Sequence, residues 1–191
     1  MSIVEFILGF AAIIIGLGVA DLLVSLHRLL RAAERVKWDW LALSFATLML
    51  YVSVCFWWFS YKLFGAAVLV TVADFLPTVA SLCLSFLMMA AALPDDVPET
   101  GVDLRAFYMS SRAHVWTLVS ASLVLSIVIS LVGEALDDLL GALGSRWPVF
   151  ISTALALACI RSPRIWVHAT AILWIFTVTS FYYLFQTISS A

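Results

Sequence analysis

Asp21, Ser25 and Arg28 stand at i, i+4 and i+7 in the stretch GLGVADLLVSLHRLLR, so a helix would carry all three on one face. A carboxylate, a hydroxyl and a guanidinium in line make one of two things. They form a polar seam that locks a helix to its neighbours, or they form a gate for an ion. If the helix enters lipid at Ile3, a crossing of about 20 residues ends near Leu22. Asp21 then lies at the edge of the hydrocarbon, where the cost of about 2.5–3.5 kcal/mol at the bilayer centre shrinks. The seam is the favoured reading.

Asp74 precedes Phe75, Leu76 and Pro77. Asp as N-cap with Pro in the first turn starts a helix. The alternative is one helix running from Gly65, with Asp74 a buried carboxylate beside a proline kink. Glu134, Asp137 and Asp138 form a candidate outer acidic rim that would concentrate cations, or an ordinary solvated loop. His168 falls one turn into the last helix, as an interhelical hydrogen-bonding residue or a proton relay. Glu5 suits the free N–H groups of a helix start. No two histidines share i, i+4 spacing, and Cys55, Cys83 and Cys159 have no paired spacing. No metal, haem or other cofactor is therefore expected. There is no Walker loop, GxSxG or HExxH, so the chain does not read as an enzyme.

The elements that hold these residues are apolar. The chain of 191 residues is 64% hydrophobic and 12% charged, with mean hydropathy +1.11. Soluble domains carry about 25% charged residues. An all-α, polytopic transmembrane bundle of six helices follows, a single domain over residues 1–191 without a sizeable soluble part. The spans fall at about 3–30, 40–58, 75–93, 115–133, 147–160 and 165–185. Asp103 can cap a short amphipathic helix, Leu104–His114, that leads into the fourth. The fifth is the weak one, because about 14 residues reach only about 21 Å. The start MSIVEF has no basic n-region or A-x-A site, so the first span reads as retained.

Arg28, Arg31, Arg35, Lys37, Arg105, Arg112, Arg161 and Arg164 fall in the odd-numbered loops, leaving Lys62 and Arg146 opposite. The positive-inside rule places the odd loops in the cytoplasm and both termini outside. G16LGVADLL23 and G133EALDDLL140 match at Gly, Asp, Leu and Leu, which suggests a 3+3 inverted repeat of the transporter kind. Gly9, Ala12 and Gly16 line another face of the first helix and suit close helix packing, internal or between subunits.

The stretch LGFAAIIIGLGVADLLVSLHRLLRAAERVKWDWLALSFATLML, with the later CFWW and GVDLRAFYMSSR, resembles a family of small bacterial polytopic inner-membrane proteins. The resemblance covers roughly the first 115 residues. It implies a bacterial inner-membrane setting and no particular activity. The expected function is thus a small cation or proton pore or carrier, with Asp21, Ser25, Arg28 and Asp74 as its polar positions. The alternative is a non-transporting scaffold or sensory subunit. The expected partners are the lipid bilayer and a second copy or another membrane protein, with no nucleic acid.

Overall fold

The computed structural model describes residues 3–66, 72–132, 144 and 146–183. Six helices account for nearly all of them: α1 (Ile3–Arg31), α2 (Trp40–Ala66), α3 (Val72–Ala90), α4 (Leu104–Val132), α5 (Trp147–Arg161) and α6 (Ile165–Tyr183). The protein is an all-α bundle. α1, α2, α4 and α6 contain stretches long and apolar enough to cross a membrane, Ile7–Arg31, Trp40–Ser60, Leu104–Leu131 and Ile165–Tyr182. α3 and α5 carry the shorter apolar stretches Asp74–Ala90 and Trp147–Arg161.

Two boundaries differ from the sequence reading. Leu104–His114 is not a separate helix; it is the first part of α4, which runs unbroken to Val132. The Asp103 Oδ1 accepts from the Ala106 N–H at 3.0 Å, so the cap itself is present. α2 extends to Ala66.

Helices α2, α3, α4, α5 and α6 pack in that order into a closed ring, α6 returning to α2, and α1 buttresses it from outside against α2 and α3. Among the described residues this packing does not repeat between the two halves. α1 lies along α3, whereas the corresponding pair, α4 and α6, has no extended backbone contact. The second copy of the GxxxxDLL motif lies outside the described residues.

α1 shows why its inner face is where it is. Ala11, Ile15, Gly18, Leu22, Ser25, Leu29 and Ala32 are buried, and their spacing alternates four and three. That is the a/d pattern of a helix packed along its partners at a shallow angle. Gly18 is the close approach: a Cβ there would meet Met89 Cε and stand 3.3 Å from Phe86 Cα on α3. Gly9 and Gly16 face open space instead. Among the described residues, the small-residue stripe therefore serves no internal packing.

One end of the bundle is defined by cross-links. The end of α1 meets the segment after α3, where the Arg28 guanidinium donates to the Asp95 carbonyl. The starts of α2 and α4 meet through Asp39 and Arg105. The starts of α4 and α6 meet through Tyr108 and His168. Two short strands join there as well. β1 (Val36–Lys37) pairs in parallel with β2 (Val102–Asp103), Val36 opposite Val102. Gly101 precedes β2 at φ 86°, with a Cβ position that would strike the Arg35 carbonyl oxygen. Only glycine suits such a backbone beside such a neighbour. Arg28, Arg31, Arg35, Lys37, Arg105, Arg112, Arg161 and Arg164 all belong to this end, called the basic end below. Exposed tryptophans flank both ends, Trp38, Trp40 and Trp166 at the basic end and Trp57, Trp58 and Trp147 at the other. Such belts mark the two lipid interfaces.

Candidate functional site

A serine-lined cavity

The ring is tight at the basic end and open inside toward the other. Its upper half encloses a cavity of about 490 Å³ bounded by all five ring helices. α3 contributes Ser81 and Ser85, α4 contributes Ser122, Ser126 and Ser130, α5 contributes Ser152 and α6 contributes Thr179. The serines of α3 and α4 recur at i+4, which places each set on one inward stripe. Three of these hydroxyls find partners on the backbone of their own helices. Ser81 Oγ donates to the Pro77 carbonyl at 2.9 Å, Ser126 Oγ to Leu123 at 2.7 Å and Ser152 Oγ to Pro148 at 2.8 Å. Hydroxyl groups in apolar helices commonly satisfy themselves this way. Each hydrogen is thereby committed to the backbone, and the oxygen keeps acceptor capacity. Ser152 Oγ uses part of it to accept from Trp174 Nε1 at 3.1 Å. The wall is rich in hydroxyl oxygens, and its one charged side chain among the described residues is the cation Arg146. Arg146 is engaged in interactions of its own. No carboxylate or histidine lines the cavity among the described residues.

Below the cavity the ring is plugged. Phe45 stands 5.5 Å from the Tyr108 ring and 5.4 Å from the Trp116 ring, centroid to centroid. His168 packs edge-on against Tyr108 at 5.4 Å. All four side chains are buried. A directed hydrogen-bond chain fixes them. Trp116 Nε1 donates to Tyr108 Oη at 2.9 Å, Tyr108 Oη lies 2.9 Å from His168 Nδ1, and His168 Nε2 lies 2.9 Å from the Ser162 carbonyl. The carbonyl can only accept, so Nε2 carries the proton. Nδ1 then accepts from the tyrosine hydroxyl, and every member is satisfied. His168 therefore joins α6, α4 and the turn after α5, away from the cavity wall.

Asp39 completes the basic end. Its Oδ1 caps α2, accepting from the Leu41 N–H at 3.1 Å and the Ala42 N–H at 3.4 Å. Its Oδ2 accepts from Arg105 Nη2 at 2.7 Å and Nε at 2.8 Å. One carboxylate thus starts α2 and holds α4 to it.

No protein family, curated protein or solved structure matches this chain. The site stands on its geometry alone.

The residues singled out in the sequence are not brought together. Asp21, Ser25 and Arg28 do not form a seam. Ser25 is in the buried a/d face, Asp21 is half-buried beside it, and Arg28 is exposed and turned to Asp95 and Asp96. The periodicity explains this, since positions 21 and 28 sit one residue before the buried Leu22 and Leu29 and flank the seam instead of joining it. Asp74 is the third residue of α3 and exposed. It is neither the N-cap nor a buried carboxylate, because α3 begins at Val72 and leaves it in the first turn. Glu134, Asp137 and Asp138 lie outside the described residues. Sequence reasoning missed Asp39, Tyr108, Trp116 and the serines. Two signals were present: Asp39 directly before an apolar helix, as an N-cap would be, and the spacing of Ser81 and Ser85 and of Ser122, Ser126 and Ser130.

Proposed function

We propose that this protein is a bacterial inner-membrane carrier for a small neutral solute bearing N–H or O–H donors. The serine-lined cavity carries this reading. A polar lining inside a membrane bundle is the usual mark of a solute path, and the hydroxyls of Ser81, Ser126 and Ser152, whose hydrogens go to the backbone, leave acceptors for a donor-bearing guest. A carrier fits better than a pore because the aromatic plug stands between the cavity and the basic end. A proton relay fits less well, since the wall has no titratable carboxylate or histidine among the described residues. By the positive-inside rule the basic end is cytoplasmic and both termini are outside. All six helices cross in this reading, α5 within a locally thinned bilayer.

Purified protein in liposomes, assayed for uptake of radiolabelled glycerol, tests it. Uptake should exceed that of protein-free vesicles and fall to background in Ser126→Leu, which fills the cavity. Uptake equal to protein-free vesicles removes the carrier reading.

A second reading, the scaffold or sensory subunit, draws on α1. Its Gly9, Ala12 and Gly16 face points out of the fold into open space, where another transmembrane helix could approach closely. Disulfide trapping of Ala12→Cys in native membranes tests it. A cross-linked species supports a subunit contact there, and none removes it.

A further inference from the structure

We propose that the basic end of α1 is a binding site for the phosphate headgroup of an anionic membrane phospholipid. Arg28, Arg31 and Arg35, with Ala32, Asp96 and Val97, line an open recess of about 320 Å³. Asp96 is the one carboxylate in it among the described residues, 3.7 Å from Arg28 Nη1 and 91% exposed. Three guanidinium groups therefore face one weakly held acid, and the recess is net cationic. Guanidinium groups pair two N–H donors with two phosphate oxygens, which an ammonium group cannot do.

The recess lies where a headgroup would be. Trp40 and Trp166 are exposed at the same end, and such residues settle at the lipid interface. The surface leading into the recess is apolar. Ile13, Leu17 and Val24 are 64%, 59% and 48% exposed. Their spacing to Arg28 and Arg31 keeps all five within about 60° of one another around the helix. This stripe lies on the side of α1 away from its packed a/d face. An acyl chain can lie along it while its phosphate occupies the recess, whereas a soluble phosphate would leave it unused. This inference needs only that the chain sits in a bilayer and does not depend on the carrier reading.

The test uses the full chain in mixed micelles of phosphatidylglycerol and phosphatidylcholine, with retained lipid counted by native mass spectrometry. The wild type should retain phosphatidylglycerol selectively. At roughly fivefold per basic residue, Arg31→Gln with Arg35→Gln should weaken that retention about 30-fold and leave phosphatidylcholine unchanged. Arg161→Gln with Arg164→Gln removes two exposed charges from the same end, outside the recess, and should retain the lipid. Equal retention of the two lipids by the wild type overturns the proposal without any variant. So does equal loss in both double variants, which would mean diffuse charge only. Displacement of the lipid by excess glycerol phosphate would assign the recess to a free phosphate and overturn the lipid assignment.

Discussion

Asp39→Asn and Asp39→Ala separate two jobs done by one carboxylate. Asparagine caps a helix about as well as aspartate, so Asp39→Asn keeps the bonds to Leu41 and Ala42 and loses the charge facing Arg105. The Asp39 side chain is 8% exposed and that of Arg105 46%. The pair lies between exposed ion pairs, at about 0.2–1 kcal/mol, and buried ones, where losing a partner costs about 3–5 kcal/mol. Its two short bonds from one guanidinium favour about 2 kcal/mol. Asp39→Ala removes the cap as well, at about 1 kcal/mol more, for about 3 kcal/mol in total. Arg105→Ala should cost about 2 kcal/mol, and combining it with Asp39→Asn should add almost nothing further. Unfolding in dodecylmaltoside micelles by added dodecyl sulfate, followed by tryptophan fluorescence and circular dichroism, measures all four variants. Strict additivity in the double variant would refute the pair, and equal cost for the Asn and Ala variants would refute the cap. A functional consequence rides on the same number. If the basic end must open during transport, losing about 2 kcal/mol from the closed form raises the open population about 30-fold. An impermeant maleimide added at the basic side should then label a cysteine placed at Ser85 faster in Asp39→Asn than in the parent.

Three further outcomes are expected. Gly18→Leu forces a side chain against Met89 and the Phe86 backbone and should cost about 1–3 kcal/mol, while Gly16→Leu, which meets open space, should change stability by less than about 0.5 kcal/mol; the same denaturation assay separates them. Tyr108→Phe leaves Trp116 Nε1 and His168 Nδ1 buried without their partner, at about 1–3 kcal/mol, and should shift the tryptophan emission; full stability would break the hydrogen-bond chain as described. Asp21→Asn should leave both stability and glycerol uptake within error, and loss of uptake in a well-folded protein would restore Asp21 as a gate.

What the sequence made legible follows from periodicity and charge. Six apolar segments and the gathering of basic residues on alternate loops need only local information, and Asp103 as a cap is a three-residue signal. The inner face of α1 was also legible, since the alternating spacing of Ala11, Ile15, Gly18, Leu22, Ser25, Leu29 and Ala32 is a pattern along one helix. Grouping Asp21, Ser25 and Arg28 by i+4 steps missed it, because that grouping counts neighbours on a surface without asking which way the surface turns. The site itself was not legible for a different reason. Arg105 is 66 residues from Asp39 and His168 is 60 from Tyr108. Each pair meets only after the order of helices around the ring is set, and apolar helices in lipid give little in their composition to say which will be neighbours.

The parallel pairing of Val36–Lys37 with Val102–Asp103 also imposes a timetable on assembly. Adjacent antiparallel helices can settle as soon as both are in the bilayer, but this pair joins a segment that leads into α2 to one that leads into α4. A chain delivered from its N-terminus therefore holds Val36 and Asp39 without their partners until α2 and α3 have been made. Shortening the stretch between α3 and β2, or halting synthesis after Ala90, would leave the first two helices without that latch.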